Sequence, residues 1–166
     1  MSQAPFRVEL LDANHVRTNF NSGVAPLDEY FHRQVTQDVR RRITACFVAI
    51  DERKNIAAFY TLASSSVLLS DLPAPVAKKL PRYPSIPAVR MGRLAVDQRF
   101  KGKGLGAAML ADALGRAAAA QIAAYAMFVD AKDDSAAGFY RHHGFIELSS
   151  NALGLFLPLS TVKNMV

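Results

Sequence analysis

The chain has 166 residues, a length typical of one domain, and 51% of them are hydrophobic, which is enough to build a core. Its single cysteine excludes an internal disulfide framework, and the amino terminus lacks the basic and apolar segments of a signal peptide. From the length, the lone cysteine and the amino terminus we expect one cytoplasmic domain, residues 1–166. The net charge of +6 predicts an anionic partner but does not separate a phosphate-bearing small molecule from RNA.

The first half of the chain predicts strands around one amphipathic helix. Apolar residues in 27–42 recur at spacings of three to four, and the arginines that end this segment lie where a helix dipole favours cations. Short apolar runs predict strands at 7–11, 43–50 and 56–69, the second of which contains Cys46 as a buried apolar residue. A proline-rich connection follows at 72–87, with a short helix around 76–80.

The second half alternates strands and helices. A strand at 88–96 leads through a glycine-rich turn into a helix that reaches about Gln121, and the later elements are a strand at 124–129, a short helix at 133–143 and strands at 145–148 and 153–159. Charged and polar residues interrupt the Ala-rich stretch 107–129, so we expect no membrane span. This order predicts a mixed α/β fold, with one mixed sheet of six to seven strands and helices on its faces.

The glycine-rich turn, residues 99–104 (RFKGKG), is the first candidate for a binding site. Glycines at 102, 104 and 106 permit positive φ and close approach of a ligand, while the following helix offers unpaired N–H groups at its positive end. Together with Arg99, Lys101 and Lys103, this pattern predicts a cradle for a phosphate or pyrophosphate. A turn that only reverses the chain is the structural alternative.

Two nucleotide-binding motifs fit this turn less well. A P-loop requires Gly-Lys-Ser or Gly-Lys-Thr, which is absent. Gly102, Gly104 and Ala107 match G-x-G-x-x-A, but a dinucleotide fingerprint opens its fold directly after a strand, whereas about a hundred residues precede this one.

Residues 99–104 resemble the acetyl-CoA signature Q/R-x-x-G-x-G/A of the GNAT acetyltransferases, and residues 92–97 (GRLAVD) resemble the strand that pairs with the pantetheine arm in that family. The resemblance implies a GNAT fold that holds acetyl-CoA in the splay between two parallel central strands, with no metal. It implies the following contacts to acetyl-CoA: Leu94, Ala95 and Val96 along the pantetheine arm, Arg99, Lys101, Gly102, Lys103, Gly104, Leu105, Gly106 and Ala107 around the pyrophosphate, and Ser135 and Phe139 on the later helix.

That later helix carries the candidate catalytic residue. Residues 134–145 (DSAAGFYRHHGF) resemble the GNAT segment A-x-x-x-Y-x-x-x-G-F, in which the tyrosine corresponds to Tyr140. An α-amino group has a pKa of about 7.7–8.0, so it is partly neutral without a dedicated base, and a protonated tyrosine can supply the leaving-group proton. The thioester carbonyl would draw on a backbone N–H, which we assign to Val96.

The four histidines are weaker candidates. His142 and His143 are adjacent, so on a helix they point in different directions, and no Asp or Cys spacing suggests a metal site or a triad. His15 and His32 show no partner in the sequence. We expect all four to be surface or capping residues.

Further segments resemble GNAT toxins of bacterial toxin–antitoxin modules. They are residues 19–23 (NFNSG), 27–28, 37–42, 80–84, 92–97 and 155–159. The resemblance implies a homodimer that acetylates the α-amino group of aminoacyl-tRNA, stops translation and is neutralised by a small ribbon-helix-helix antitoxin. A GNAT enzyme for a small amine, a peptide or a protein terminus is the alternative, and a CoA-binding module without catalysis is a third.

A basic surface is compatible with an RNA substrate. The candidate phosphate contacts are Arg40, Arg41, Arg42, Lys78, Lys79 and Arg82. A solvated helix end and loop would explain the same residues. We expect no exposed aromatics between them, and therefore no platform for base stacking.

Overall fold

The computed structural model describes residues 5–164, whose seven strands form one mixed sheet in the order β1-β2-β3-β4-β5-β7-β6. The strands are β1 (Arg7–Leu10), β2 (Ala45–Ile50), β3 (Ile56–Leu68), β4 (Ser85–Val96), β5 (Ala126–Asp130), β6 (Ile146–Leu148) and β7 (Asn151–Pro158). The predicted mixed sheet is therefore confirmed. Residues 1–4 and 165–166 of the predicted domain lie outside the described residues.

Helices occupy the predicted places with shifted ends. They are α1 (Ala25–Glu29), a π-helical turn (Tyr30–Gln34), α2 (Val35–Arg40), α3 (Ala74–Ala77), α4 (Leu105–Ala119) and α5 (Asp134–His142), with 3-10 turns at Leu69–Asp71, Gln98–Phe100 and Leu159–Asn164. Within residues 5–164, no helix has the length and apolar character needed to cross a bilayer.

Two predicted helices differ from the observed ones for local reasons. The segment predicted at 27–42 begins earlier, because Pro26 fits the first turn of α1, and it ends at Arg40, with Arg42 in the left-handed region at φ 60°. The short helix predicted at 76–80 is Ala74–Ala77 instead. Pro75 starts this helix rather than excluding it, because the first turn needs no N–H from that residue.

The contacts divide the described chain into two compact units, and the first contains residues 5–63 and 92–113. Its core is aromatic: Phe31 stacks on Phe59 with ring centroids 4.2 Å apart, and Phe20 meets both rings edge-on. Cys46 is buried in this core as predicted, and burial raises the pKa of its thiol to about 12. A thiol so hard to ionise is not a nucleophile at neutral pH.

The second unit contains residues 64–91 and 114–164. In it β4 pairs in parallel with β5, Ala88 lying opposite Ala126 and Arg90 opposite Phe128, and β7 pairs antiparallel with both β5 and β6. The core of this unit includes Val67, Leu72, Ile86, Leu148 and Phe156. Arg90 and Asp130 form an ion pair of 3.0 Å on the parallel pair of strands.

Candidate functional site

The glycine-rich turn of the first unit has the geometry of an anion cradle. Gly102 and Gly104 adopt φ of 82° and 76°, which side chains other than glycine rarely adopt. The N–H of Ala108 donates to the Gly104 carbonyl at 3.1 Å, which is the first hydrogen bond of α4. The N–H groups of Leu105, Gly106 and Ala107 therefore have no acceptor within the helix and remain available to an anion at its positive end.

Asp97 fixes the entrance to this turn. Its carboxylate is only 1% exposed and accepts the Nε of Arg99 at 2.9 Å, the backbone N–H of Arg99 at 2.8 Å and that of Asn21 at 2.9 Å. The N–H of Asp97 donates to the Ala57 carbonyl at 2.8 Å. The turn is thus tied to both β3 and the segment that precedes α1. Sequence reasoning missed Asp97, although a carboxylate between a buried strand and a basic turn was a visible signal.

The ionisation of Asp97 should make stability depend on pH. Burial opposes its charge, but the hydrogen bonds from Arg99 and from the backbone of Arg99 and Asn21 outweigh that effect and hold its pKa below the usual range. A carboxyl whose pKa is lower in the folded than in the unfolded state stabilises the fold above the unfolded pKa of about 3.9, and this stability is lost as pH falls through the folded pKa.

We expect Asp97→Asn to lower the free energy of unfolding by about 2 kcal/mol at pH 7, because it removes charge-assisted hydrogen bonds at a buried site. Urea denaturation at several pH values measures this, and the difference from wild type should shrink below about pH 4. Asp130→Asn is the matched control, since its carboxylate is 45% exposed. A pH-independent difference for Asp97→Asn would contradict the assignment of charge.

The three cations of the turn have different environments. The Arg99 guanidinium is ion-paired with Asp97, so part of its charge is already neutralised. The Nζ of Lys101 donates to the Ser22 carbonyl at 2.7 Å, which ties the turn to the segment before α1. Lys103 is exposed, with its Nζ 5.6 Å from the centroid of the Phe100 ring. Lys103 therefore offers the least engaged charge to a bound anion, while Arg99 and Lys101 hold the turn in shape.

The strand before the turn presents its three predicted residues differently. The side chain of Ala95 is 5% exposed and belongs to the aromatic core of the first unit, so a ligand would meet its backbone rather than its methyl group. Leu94 and Val96 are half-buried on the alternate positions of β4. A ligand lying along this part of β4 would find these two side chains accessible.

The tyrosine helix α5 belongs to the second unit. The Asp133 side chain caps it by accepting the N–H of Ala136 at 2.8 Å, and Gly144 follows its end at φ 93°. Phe139 and Phe145 pack against the Tyr140 ring at centroid distances of 5.2 and 5.4 Å. The ring of Tyr140 is therefore held firmly by its neighbours.

The hydroxyl of Tyr140 is suited to donate a proton. Tyr140 is 9% exposed, and burial raises its pKa to about 12. Its hydroxyl makes no hydrogen bond to any group in residues 5–164. Ser135, the other polar residue predicted on this helix, is exposed. Tyr140 thus keeps its proton at neutral pH and has no competing acceptor within the described chain.

The prediction that His15 and His32 lack partners is wrong. The Nδ1 of His15 accepts the Asp12 N–H at 2.9 Å, so its Nε2 carries the proton and donates to Glu9 at 2.7 Å. The Nε2 of His32 lies 2.8 Å from the Phe20 carbonyl. His142 is exposed and His143 caps α5, as expected. Each histidine therefore contacts a neighbouring group, ends a helix or lies at the surface. In residues 5–164, no group of three His, Cys, Asp or Glu could hold a metal.

The predicted basic residues lie in both units. Arg40, Arg41 and Arg42 are exposed at the end of α2 in the first unit, and Lys78, Lys79 and Arg82 are exposed around α3 in the second. The expectation of no exposed aromatic among them is wrong. Tyr83, beside Arg82, is 64% exposed, because prolines on both sides keep this segment out of regular structure.

Tyr83 and Arg82 line an open pocket of about 710 Å³. The rest of the lining comes from the end of β3, the 3-10 turn that follows it, α3 and the residues around them. These residues are Leu68, Leu69, Ser70, Leu72, Ala74, Ala77, Pro84 and Ser149. An exposed ring next to an arginine suits a nucleobase and its phosphate.

Comparisons with known proteins extend over nearly the whole chain. Residues 42–147 match the acetyltransferase (GNAT) domain family. The tRNA-acetylating toxin of Mycobacterium tuberculosis is 34% identical over 165 residues, which are 98% of this chain and 96% of that protein. The structure of AtaT complexed with acetyl-methionyl-tRNAfMet is similar at 28% identity and a TM-score of 0.89, covering 96% of this chain and 98% of that one. The structure of AtaTR bound with AcCoA is similar at 27% identity and a TM-score of 0.84, covering 97% and 98% of the two chains.

Proposed function

The chain belongs to the GNAT acetyltransferase family, and from that premise we propose that it uses acetyl-CoA to acetylate the α-amino group of aminoacyl-tRNA and thereby inhibits translation. The observation that carries this proposal is the anion cradle at Gly102–Gly104 in a chain that is 34% identical, over 98% of its length, to a tRNA-acetylating toxin. The fold, the cradle and the unpartnered Tyr140 hydroxyl all suit this reaction.

The cradle residues fit a diphosphate. Both positive-φ glycines have no atom within 4 Å of the place where a side-chain carbon would lie, which leaves room for phosphate oxygens, and the N–H groups of residues 105–107 supply donors. We assign the pyrophosphate of acetyl-CoA to Arg99, Lys101, Gly102, Lys103, Gly104, Leu105, Gly106 and Ala107, the pantetheine arm to Leu94, Ala95 and Val96, and the remaining contacts to Ser135 and Phe139.

Acyl transfer then needs few protein groups. The neutral amine forms a bond to the acetyl carbon while the carbon–sulfur bond breaks, and the Val96 N–H stabilises charge on the carbonyl oxygen. Tyr140 donates its phenolic proton to the departing sulfur and regains a proton from solvent, which also takes the surplus proton of the new amide. Tyr140 is the catalytic residue in this proposal.

The remaining assignments follow the resemblance to toxin–antitoxin modules. We place the protein in the cytoplasm, as one GNAT domain over residues 1–166 that forms a homodimer and is neutralised by a ribbon-helix-helix antitoxin. A small ribbon-helix-helix protein in the neighbouring reading frame, co-purifying with this chain, would support the antitoxin. Size-exclusion chromatography with light scattering tests the dimer.

Incubation with labelled acetyl-CoA and total charged tRNA tests the function itself. We expect label on the α-amino group of an aminoacyl-tRNA, and digestion followed by chromatography identifies the amino acid. Label found only on free amines or protein termini would instead support the small-substrate alternative. The absence of any transfer would overturn the enzymatic proposal.

The basic surface should contribute salt-sensitive RNA binding. Each basic side chain that contacts one phosphate adds about −0.9 to the slope of the log association constant against log salt concentration. Replacing Lys78, Lys79 and Arg82 together by glutamine should therefore make that slope shallower by about 2 to 3. Filter binding of charged tRNA at a series of salt concentrations measures the slope. The triple variant of Arg7, Arg53 and Lys54 removes the same charge from β1 and the β2–β3 turn and should leave the slope unchanged. Equal slopes for both triple variants would remove the basic-surface hypothesis.

A further inference from the structure

Arg93 of β4 has an environment that neither the cradle nor the tyrosine helix explains. Its guanidinium carbon lies 3.5 Å from the centroid of the Tyr30 ring, in a cation–π stack within the first unit. Arg93 is half-buried, yet it forms no hydrogen bond or ion pair with any group in residues 5–164. Its N–H donors are therefore open to solvent or to a ligand that can accept their hydrogen bonds.

The Tyr30 ring on which Arg93 stacks is held by a hydrogen bond from its hydroxyl. The Tyr30 hydroxyl donates to Asp38 at 2.8 Å, and the Gln34 amide donates to the other oxygen of the same carboxylate at 3.1 Å. Burial raises the pKa of Tyr30, and its hydrogen bond to Asp38 adds to that effect. Hydrogen bonds from Gln34 and Tyr30 lower the pKa of Asp38. Tyr30 therefore stays a neutral donor and Asp38 an anion, so the ring cannot tilt without breaking a charge-assisted hydrogen bond.

The charge around this stack favours an additional anion. Asp38 is the acidic group that faces Arg93, and it is also under the influence of Arg41. Arg40, Arg41 and Arg42 follow Asp38 after one intervening residue and are exposed. The Asp38 carboxylate already accepts hydrogen bonds from Tyr30 and Gln34 and forms no ion pair with Arg93, so the charge of Arg93 remains open to a further anion.

The position of Arg93 in the chain relates this charge to the proposed chemistry. Arg93 directly precedes Leu94–Val96, the part of β4 that we assign to the pantetheine arm. Because side chains alternate along a strand, Arg93 lies on the same face of β4 as Ala95, and a group that it binds approaches the assigned backbone from the face opposite Leu94 and Val96. Arginine is suited to a phosphodiester there, because its planar fork donates two parallel hydrogen bonds and the stack holds that plane in advance.

We propose that Arg93, stacked on Tyr30, binds a backbone phosphate of the RNA that carries the acceptor amine and so positions that amine. This inference rests on the function proposed above. It makes Arg93 a substrate-binding residue and Tyr30 a positioning residue that acts through it.

Steady-state kinetics of Arg93→Gln and Arg93→Lys test the proposal. With charged tRNA, Arg93→Gln should raise KM by about 10- to 100-fold, since a bidentate charged contact is lost. Arg93→Lys should recover only part of this, because an ammonium keeps the charge but neither the fork nor the stack. The Kd for acetyl-CoA should stay within twofold of wild type. Arg90→Gln is the matched control on the same strand, since Asp130 already neutralises Arg90, and its KM should not change.

A phosphate-free acceptor separates binding of RNA from a merely structural role. An aminoacyl-adenosine keeps the ester and the amine but has no phosphodiester, so wild type and Arg93→Gln should use it at equal kcat/KM. An equal loss on both acceptors would show that Arg93 supports β4 instead. A raised Kd for acetyl-CoA would assign it to a phosphate of that molecule. Either result overturns the inference. If wild type acetylates charged tRNA and Arg93→Gln does so with the same KM, the inference is overturned as well. A wild type that acetylates no charged tRNA overturns the proposed function, and this inference with it.

Discussion

Replacement of Tyr140 by phenylalanine should leave acetyl-CoA affinity unchanged and reduce kcat by about 100-fold or more, the usual contribution of a positioned general acid. The ring makes the packing contacts with Phe139 and Phe145, and the variant keeps it. The hydroxyl makes no hydrogen bond to the described chain, so its removal should also leave the melting temperature nearly unchanged. Calorimetry for acetyl-CoA binding and single-turnover rates separate these quantities.

The pH dependence should report the acceptor amine, while the level of the rate reports the tyrosine. Because burial raises the pKa of Tyr140 to about 12, its proton remains in place throughout the range in which the protein can be assayed. The rate should therefore rise with pH as the acceptor amine loses its proton near pH 7.7–8.0, roughly the pKa of an α-amino group, and then stay level. Tyr140→Phe should show the same rise at a much lower level.

Tyr125→Phe is the matched control for Tyr140→Phe. Tyr125 is half-buried in the same unit, and burial raises the pKa of its hydroxyl as well. A hydroxyl that matters only for packing should give similar, small effects at both positions. Wild-type turnover in Tyr140→Phe, or an equal loss in Tyr125→Phe, would remove the catalytic assignment.

The features that the sequence predicted correctly depend on residues close together in the chain. The turn at 99–104 follows from glycine spacing, and φ of 82° and 76° at Gly102 and Gly104 is what such spacing permits. The helix predicted at 133–143 is α5, and its ends coincide with two local signals, the cap at Asp133 and the left-handed Gly144. The π-helical turn at Tyr30–Gln34 has no such local marker, so the periodicity of 27–42 predicted only a regular helix.

The contacts of Arg93 and Asp97, which the sequence did not predict, depend on partners that are distant in the chain. Arg93 stacks on a ring 63 positions earlier in the chain, and Arg99 and Asn21 meet at Asp97 only because the strands fold together. His15 and His32 find their partners through loop geometry that no spacing shows. The exposure of Tyr83 depends on the prolines on both sides of it, a local signal that the expectation of no exposed aromatic did not take into account. Motif spacing therefore located the candidate site, but not the contacts that hold its parts in place.

Replacement of Gly104 by alanine should raise the Kd for acetyl-CoA by at least about 10-fold. Gly104 has φ of 76°, which costs an L-residue about 1–2 kcal/mol, so the turn would relax toward negative φ. That relaxation turns the peptide groups that lead into α4 and takes the free N–H groups of residues 105–107 out of alignment with a diphosphate. Calorimetry and the shift of the melting temperature by acetyl-CoA both report the loss.

Gly115→Ala is the control that separates this conformational effect from the loss of a glycine as such. Both glycines have no atom within 4 Å of an added side-chain carbon, so neither variant creates a clash within the chain. Gly115 lies inside α4 at an ordinary φ, and alanine there should stabilise the fold by about 0.5–1 kcal/mol and leave the Kd for acetyl-CoA unchanged. If Gly104→Ala bound acetyl-CoA as tightly as Gly115→Ala does, the positive φ of the turn would be irrelevant to the ligand. The diphosphate would then have to lie elsewhere, and the cradle could no longer support the proposed function.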